Sequence, residues 1–150
     1  MRGVLRWIAL ALLLVPSSGA SQWRSGGSEI PLEGDGRIWT VRAKLNESVS
    51  GQFLLDTGAS VCVLAPKFAK KLDLEATGMD VELRTANGVV RAPLVRLDSI
   101  QVGRNRAESV TAVVHPAVSG SLDGVLGLSF LNTFDSYSID ARNHTLRLED

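Results

Sequence analysis

Residues 53–60 run Phe-Leu-Leu-Asp-Thr-Gly-Ala-Ser, and no other stretch restricts the fold so tightly. An apolar strand has to deliver Asp56 straight into a turn made by Thr57 and Gly58, because a small hydroxyl residue and a glycine after an acid suit a tight, hydrogen-bonded reversal. By itself Asp-Thr-Gly also suits an ordinary strand exit in which the acid bonds its own backbone. The phrase occurs once. The 150 residues contain no second Asp-Thr-Gly or Asp-Ser-Gly, and Asp35-Gly36 and Asp123-Gly124 lack the intervening hydroxyl residue. Ser121-Leu122-Asp123-Gly124 reads as a turn into Val125, not as an additional acid.

The remaining pattern is that of short strands. From Arg37 to Asn46 apolar Trp39, Val41, Ala43 and Leu45 alternate with Thr40, Arg42 and Lys44, the period of a half-buried strand. Glu47 to Gly51 is expected to turn the chain into a strand over 52–55 that carries the motif at its end. Val61 to Leu64 is apolar and β-branched. Pro66 suits a first helical turn, and Lys67 to Leu72 puts Phe68, Ala69 and Leu72 on one face of a short helix.

Val81, Leu83 and Thr85 alternate up to Ala86-Asn87-Gly88, and Asn-Gly between two such runs signals a hairpin. Its return strand covers 89–102, with Pro93 predicting an edge position or a local break. A turn over 103–106 and a strand over 109–114 follow. After a small-residue loop at 116–121, Val125 to Leu128 reads as a strand. Ser129 is then the expected cap of one helical turn, and 137–140 with 145–148 make a last hairpin. The fold class is mainly β, a small closed barrel or sandwich with one or two short helices and no internal repeat.

Composition narrows the function. With 45% hydrophobic and 21% charged residues the chain can bury a core of one domain. Sixteen basic and sixteen acidic side chains cancel, so no net field draws the protein to nucleic acid. Arg2 and Arg6 precede an apolar run over 7–15, then Pro16 and small residues to Ala20, which predicts a secretory signal at 1–20 or a retained N-terminal anchor. The run is short for a membrane span. Residues 21–29 read as a flexible leader and 30–150 as the folded domain, exported to the periplasm or beyond, or tethered to a membrane if the signal is kept. Cys62 is the single cysteine, which excludes an intrachain disulfide and reads as a small buried hydrophobe. His115 and His144 have no metal-ligand spacing and read as surface or loop histidines; no metal or cofactor is expected. Asn46-Glu47-Ser48 and Asn143-His144-Thr145 fit a glycan acceptor pattern, but each lies in an expected turn where asparagine is favoured anyway.

The chain resembles the retropepsin-like aspartic proteases, in particular small bacterial members with a signal or anchor before one protease domain. The resemblance spans residues 37–148. It rests on the 53–60 phrase, the hairpin around Asn87-Gly88 where the family places its flap, and Val125-Leu126-Gly127, an element that threads beside the catalytic loop. It implies that Asp56 is the catalytic residue, paired with Asp56 of a second copy around one shared proton, since two adjacent carboxylates cannot both ionise. One motif per chain then means a homodimer with one half-site in each subunit.

Thr57 would grip the facing loop, Gly58 would allow close backbone approach beside the carboxylates, Ala59 would belong to the supporting turn, and Ser60 would bond the outer oxygen of Asp56. Thr85, Ala86, Asn87 and Gly88 would form a flap over protein or peptide substrates. The activity implied is hydrolysis of peptide bonds by acid–base activation of water, with an acidic optimum. Two departures stand out: Gly127 is followed by Leu128-Ser129 where viral members have Arg and an acidic or amide residue, and the flap has one glycine where theirs have several. A non-catalytic exported peptide-binding module on the same barrel is the alternative. An aspartyl phosphotransferase is disfavoured by the absence of a glycine-rich phosphate loop.

Overall fold

The computed structural model describes residues 28–85, 88–118 and 120–150. The expected signal at 1–20, the expected leader as far as residue 27, and Ala86 and Asn87 of the expected flap lie outside the described residues. Just before Ile30 the Ser28 hydroxyl donates to Asn105 Oδ1, 3.1 Å, and Glu29 pairs with Arg147.

Along the chain come β1 (Ile30–Pro31), β2 (Glu33–Gly34), β3 (Trp39–Leu45), β4 (Val49–Leu55), β5 (Cys62–Leu64), α1 (Pro66–Lys71), β6 (Asp80–Thr85) and β7 (Gly88–Val102). They are followed by β8 (Asn105–Val114), β9 (Gly124–Leu126), α2 (Leu128–Leu131), β10 (Ser136–Asp140) and β11 (Thr145–Glu149). Strands β3-β4-β9-β5-β8-β7 pair in that order, and a further β3–β7 pairing closes them into a six-stranded barrel. The closure runs through Lys44 with Gln101 and Leu45 with Ile100. The expected mainly β fold with two short helices is therefore the observed one. A separate three-stranded sheet, β1-β11-β10, packs Ile30, Leu146 and Leu148 against the barrel core.

Inside the barrel, alternate residues of each strand fill the interior: Val41, Ala43 and Leu45 from β3, Phe53 and Leu55 from β4, Leu126 from β9. Phe53 meets Phe68 of α1 edge to face, with centroids 5.3 Å apart, a geometry aromatic rings favour. Pro66 opens α1, as its fixed φ allows. Phe68 and Ala69 are buried beneath it.

Four local expectations need correction. The β3–β4 turn is tighter than 47–51, because Asn46 and Glu47 both take positive φ, +48° and +56°, which lets Leu45 pair with Val49. Asn46 is held there by its side chain, whose Oδ1 accepts from the backbone N–H of Asp98 at 2.9 Å and Ser99 at 3.3 Å. The β7–β8 turn is likewise shorter than 103–106: Gly103, at φ +59°, lets Val102 face Asn105, and β8 starts at Asn105. Pro93 does not break β7. It pairs with Asp80 at the start of β6, and pairing to β8 begins one residue later at Leu94 with Val113, so its missing N–H falls where the strand exchanges partners. Ser129, finally, is not the cap of α2; Gly127 occupies that position.

The Ser129 hydroxyl instead donates to Thr111 O at 2.8 Å and accepts from Cys62 N at 2.9 Å, tying α2 to β8 and β5. Cys62 is fully buried, as its apolar surroundings foretell. Burial pushes its thiol above the ordinary value of 9.0, since an apolar site disfavours thiolate. With the folded value raised, the neutral thiol adds stability that is complete below pH 9.0 and is lost as the pH rises through the folded value. Alkylation of Cys62 at pH 8 is expected to run at least about a hundredfold slower in the native protein than in denaturant, because reaction needs opening of the core. Equal rates in a timed thiol-labelling assay would contradict the burial.

Candidate active site

Strand β4 ends at Leu55, and its last three residues lie parallel to β9, Phe53 beside Gly124, Leu54 beside Val125 and Leu55 beside Leu126. Parallel pairing carries one step further, where Asp56 N–H donates to Leu126 O at 3.1 Å. The acid is thus fixed by two strands before its own turn begins. Within the turn, Gly58 N–H donates to Asp56 Oδ1 at 2.8 Å and Ala59 N–H to Asp56 O at 3.2 Å. Asp56 is half-buried, and Thr57 and Gly58 are exposed. Ser60 is exposed as well, and among the described residues it makes no hydrogen bond to Asp56. The bond the carboxylate accepts within its chain comes from Gly58.

Gly127 explains why the turn sits so close to β9. A Cβ there would lie 2.5 Å from Ala59 O and 2.8 Å from Val61 O, both backbone atoms that cannot swing aside. Only glycine allows Leu128 N–H to reach Ala59 O, 2.8 Å away. On the other side, Gly127 N–H points at Cys62 Sγ, 3.4 Å. The Val125-Leu126-Gly127 segment is therefore brought against the Asp56 turn. Asp123 is structural, in keeping with the turn reading: its Oδ2 accepts from Gln52 N–H at 3.0 Å, and its own N–H donates to Gln52 O at 2.8 Å.

Asp56 opens into a cleft of about 900 Å³. Its floor is apolar, for Leu54, Val125 and Val63 stand in register on the outer faces of β4, β9 and β5. Val81, Leu83 and Thr85 of β6 line the same space, so the β6–β7 hairpin lies across the cleft. Thr85 pairs with Gly88 at the end of that hairpin, and the Thr85 hydroxyl donates to Gly88 O at 2.9 Å. Gly88 has φ +119°, a conformation few other residues tolerate.

One cleft residue escaped the sequence. His115 follows β8, its N–H bonds Leu64 O at 3.0 Å, and its ring lines the cleft with Ala117, Val118 and Leu122. No local pattern marks it, because its position depends on β8 pairing in parallel with β5. Among the described residues no three of His, Cys, Asp or Glu come together in a way that could hold a metal ion.

Residues 41–130 match the family described as aspartyl protease. Among solved structures, the chain is similar to a retropepsin-like aspartic protease from Rickettsia conorii, at 27% identity and TM-score 0.62, over 82% of this chain and 92% of that one. No curated protein matches it.

Proposed function

Because the chain belongs to the aspartyl protease family and has the retropepsin-like fold, we propose that it is an endopeptidase whose site is completed by a second copy of itself. One observation carries this reading: a single Asp56, anchored by Leu126 and Gly58 at the mouth of an extended cleft, with no second such acid in the sequence. Two copies related by a twofold axis set their Asp56 carboxylates face to face. The pair keeps one proton, so one acid polarises the peptide carbonyl while the other takes a proton from water.

Thr57 is exposed and free to engage the facing turn. The β6–β7 hairpin acts as the flap, bonding an extended substrate through its backbone and excluding water from the acids. The apolar floor suits an unfolded polypeptide. The substrates are proteins or peptides, reached after export under the direction of residues 1–20, to the periplasm or beyond it, or with the domain tethered by residues 7–15.

Purified protein incubated with an unfolded polypeptide tests the proposal. Cleavage per chain is expected to rise with protein concentration as dimers form, and to fall as the pH climbs toward neutrality and strips the shared proton. A rate per chain that is flat across a hundredfold dilution from a protein that sediments as a monomer would reject the shared site. Peptide binding without cleavage at any pH would favour the non-catalytic module.

A further inference from the structure

The cleft is apolar along its floor, yet it contains one imidazole whose orientation is fixed. Ala117 N–H donates to His115 Nδ1 at 3.1 Å, and His115 is half-buried in the cleft lining. A ring nitrogen that accepts a hydrogen bond carries no proton, so this bond assigns the neutral tautomer with hydrogen on Nε2. In this geometry Nε2 carries the hydrogen and is free to donate, and among the described residues it has no hydrogen-bond partner.

We propose that His115 is a specificity-determining residue, whose Nε2–H donates to a side-chain oxygen of the bound peptide and selects glutamine, asparagine or an acidic residue at one subsite. Val63, Val118 and Leu122 line the same cleft, and a bound side chain that covers this apolar lining would leave the donor with no water to turn to, so a substrate without an acceptor there is penalised. The titratable or charged side chains sharing the cleft are Asp56, Glu82 and Arg84. Gln is the cleanest probe, because its oxygen accepts without adding charge against Asp56 or Glu82.

The inference rests on the reading of this cleft as a peptide site, but not on catalysis, so binding is the measurement that tests it. Peptides carrying Gln or Leu at each of six successive positions are titrated into Asp56→Asn protein, which cannot consume them. At one position Gln is expected to bind about fivefold tighter than Leu. That preference is expected to vanish in an added His115→Leu and to persist in His115→Gln, whose amide restores a donor near Nε2. Independently of any variant, the His115 Nε2 resonance should shift with the Gln peptide and stay unmoved with the Leu peptide. No Gln preference at any position, an unchanged preference in His115→Leu, or no peptide binding at all would overturn the assignment. If the preference is found and wild-type protein still cleaves nothing, the hydrolytic reading fails while this one stands.

Discussion

Asp56→Asn is expected to lower the rate of peptide hydrolysis by at least about 10³-fold while leaving the fold intact. Asparagine has nearly the same size and keeps an oxygen to accept the 2.8 Å bond from Gly58 N–H, so the turn has no reason to move. What disappears is the ability to hold and exchange a proton. The variant also measures how many acids a site needs. In a twofold dimer every site draws one Asp56 from each chain, so randomly assorted wild-type and variant chains in equal amounts leave only about one quarter of the dimers with both acids. Activity then falls to about a quarter of that of unmixed wild type at the same total chain concentration. A fall to one half after full subunit exchange would mean that each chain works alone, and undiminished cleavage by the pure variant would remove Asp56 from the mechanism.

Gly127→Ala should damage both stability and activity, although it adds a single methyl group. That methyl would meet Ala59 O at 2.5 Å and Val61 O at 2.8 Å, with Ala59 Cβ at 3.1 Å. These atoms belong to the segment that follows Asp56, and the main chain must yield. Forcing a methyl into such a contact costs about 1–3 kcal/mol, which for a domain of this size corresponds to a fall of roughly 3–10 °C in Tm. Displacing the turn by even about 1 Å is expected to lower kcat/KM by about 10²-fold in the protein that remains folded.

Gly58→Ala provides the contrast. Its added methyl would meet Asp56 Oδ1 alone, at 3.1 Å, so its thermal effect should be far smaller. Calorimetry of the two variants side by side checks the argument. A Gly127→Ala protein that melts within a degree or two of wild type would show that the two segments are not locked as described.

The absent arginine after Gly127 also acquires a physical account. In this chain Leu128, which stands directly after the glycine, is half-buried against the core. Leu131 and Phe130 are fully buried, and the Ser129 hydroxyl bridges Cys62 N and Thr111 O. The short helix is thus tied into its own barrel, through β5 and β8.

Much of this protein is determined by sequence alone. Alternation at Trp39–Leu45, the apolar lead into Asp56, proline at the start of α1 and asparagine-glycine at the hairpin are local signals, because a strand period, a fixed φ or a left-handed turn depends on a few adjacent residues. The same locality made Asp56 visible as the one acid set in such a turn. What escaped was non-local. The lengths of the turns at 46–48 and 103–104 depended on where partner strands stand, with Asn46 held by Asp98 and Ser99 across the sheet. Ser129 looked like a cap because its neighbours in sequence suggest one, whereas its bonding partners sit 67 and 18 residues away. His115 and the apolar floor of Leu54, Val63 and Val125 become one surface only when β4, β9 and β5 come into register. Sequence therefore determined which carboxylate enters the tight turn and what turn it occupies, since both are properties of consecutive residues. Which side chains surround that acid was decided by the tertiary structure, because parallel pairing and barrel closure join segments that carry no mark of one another along the chain.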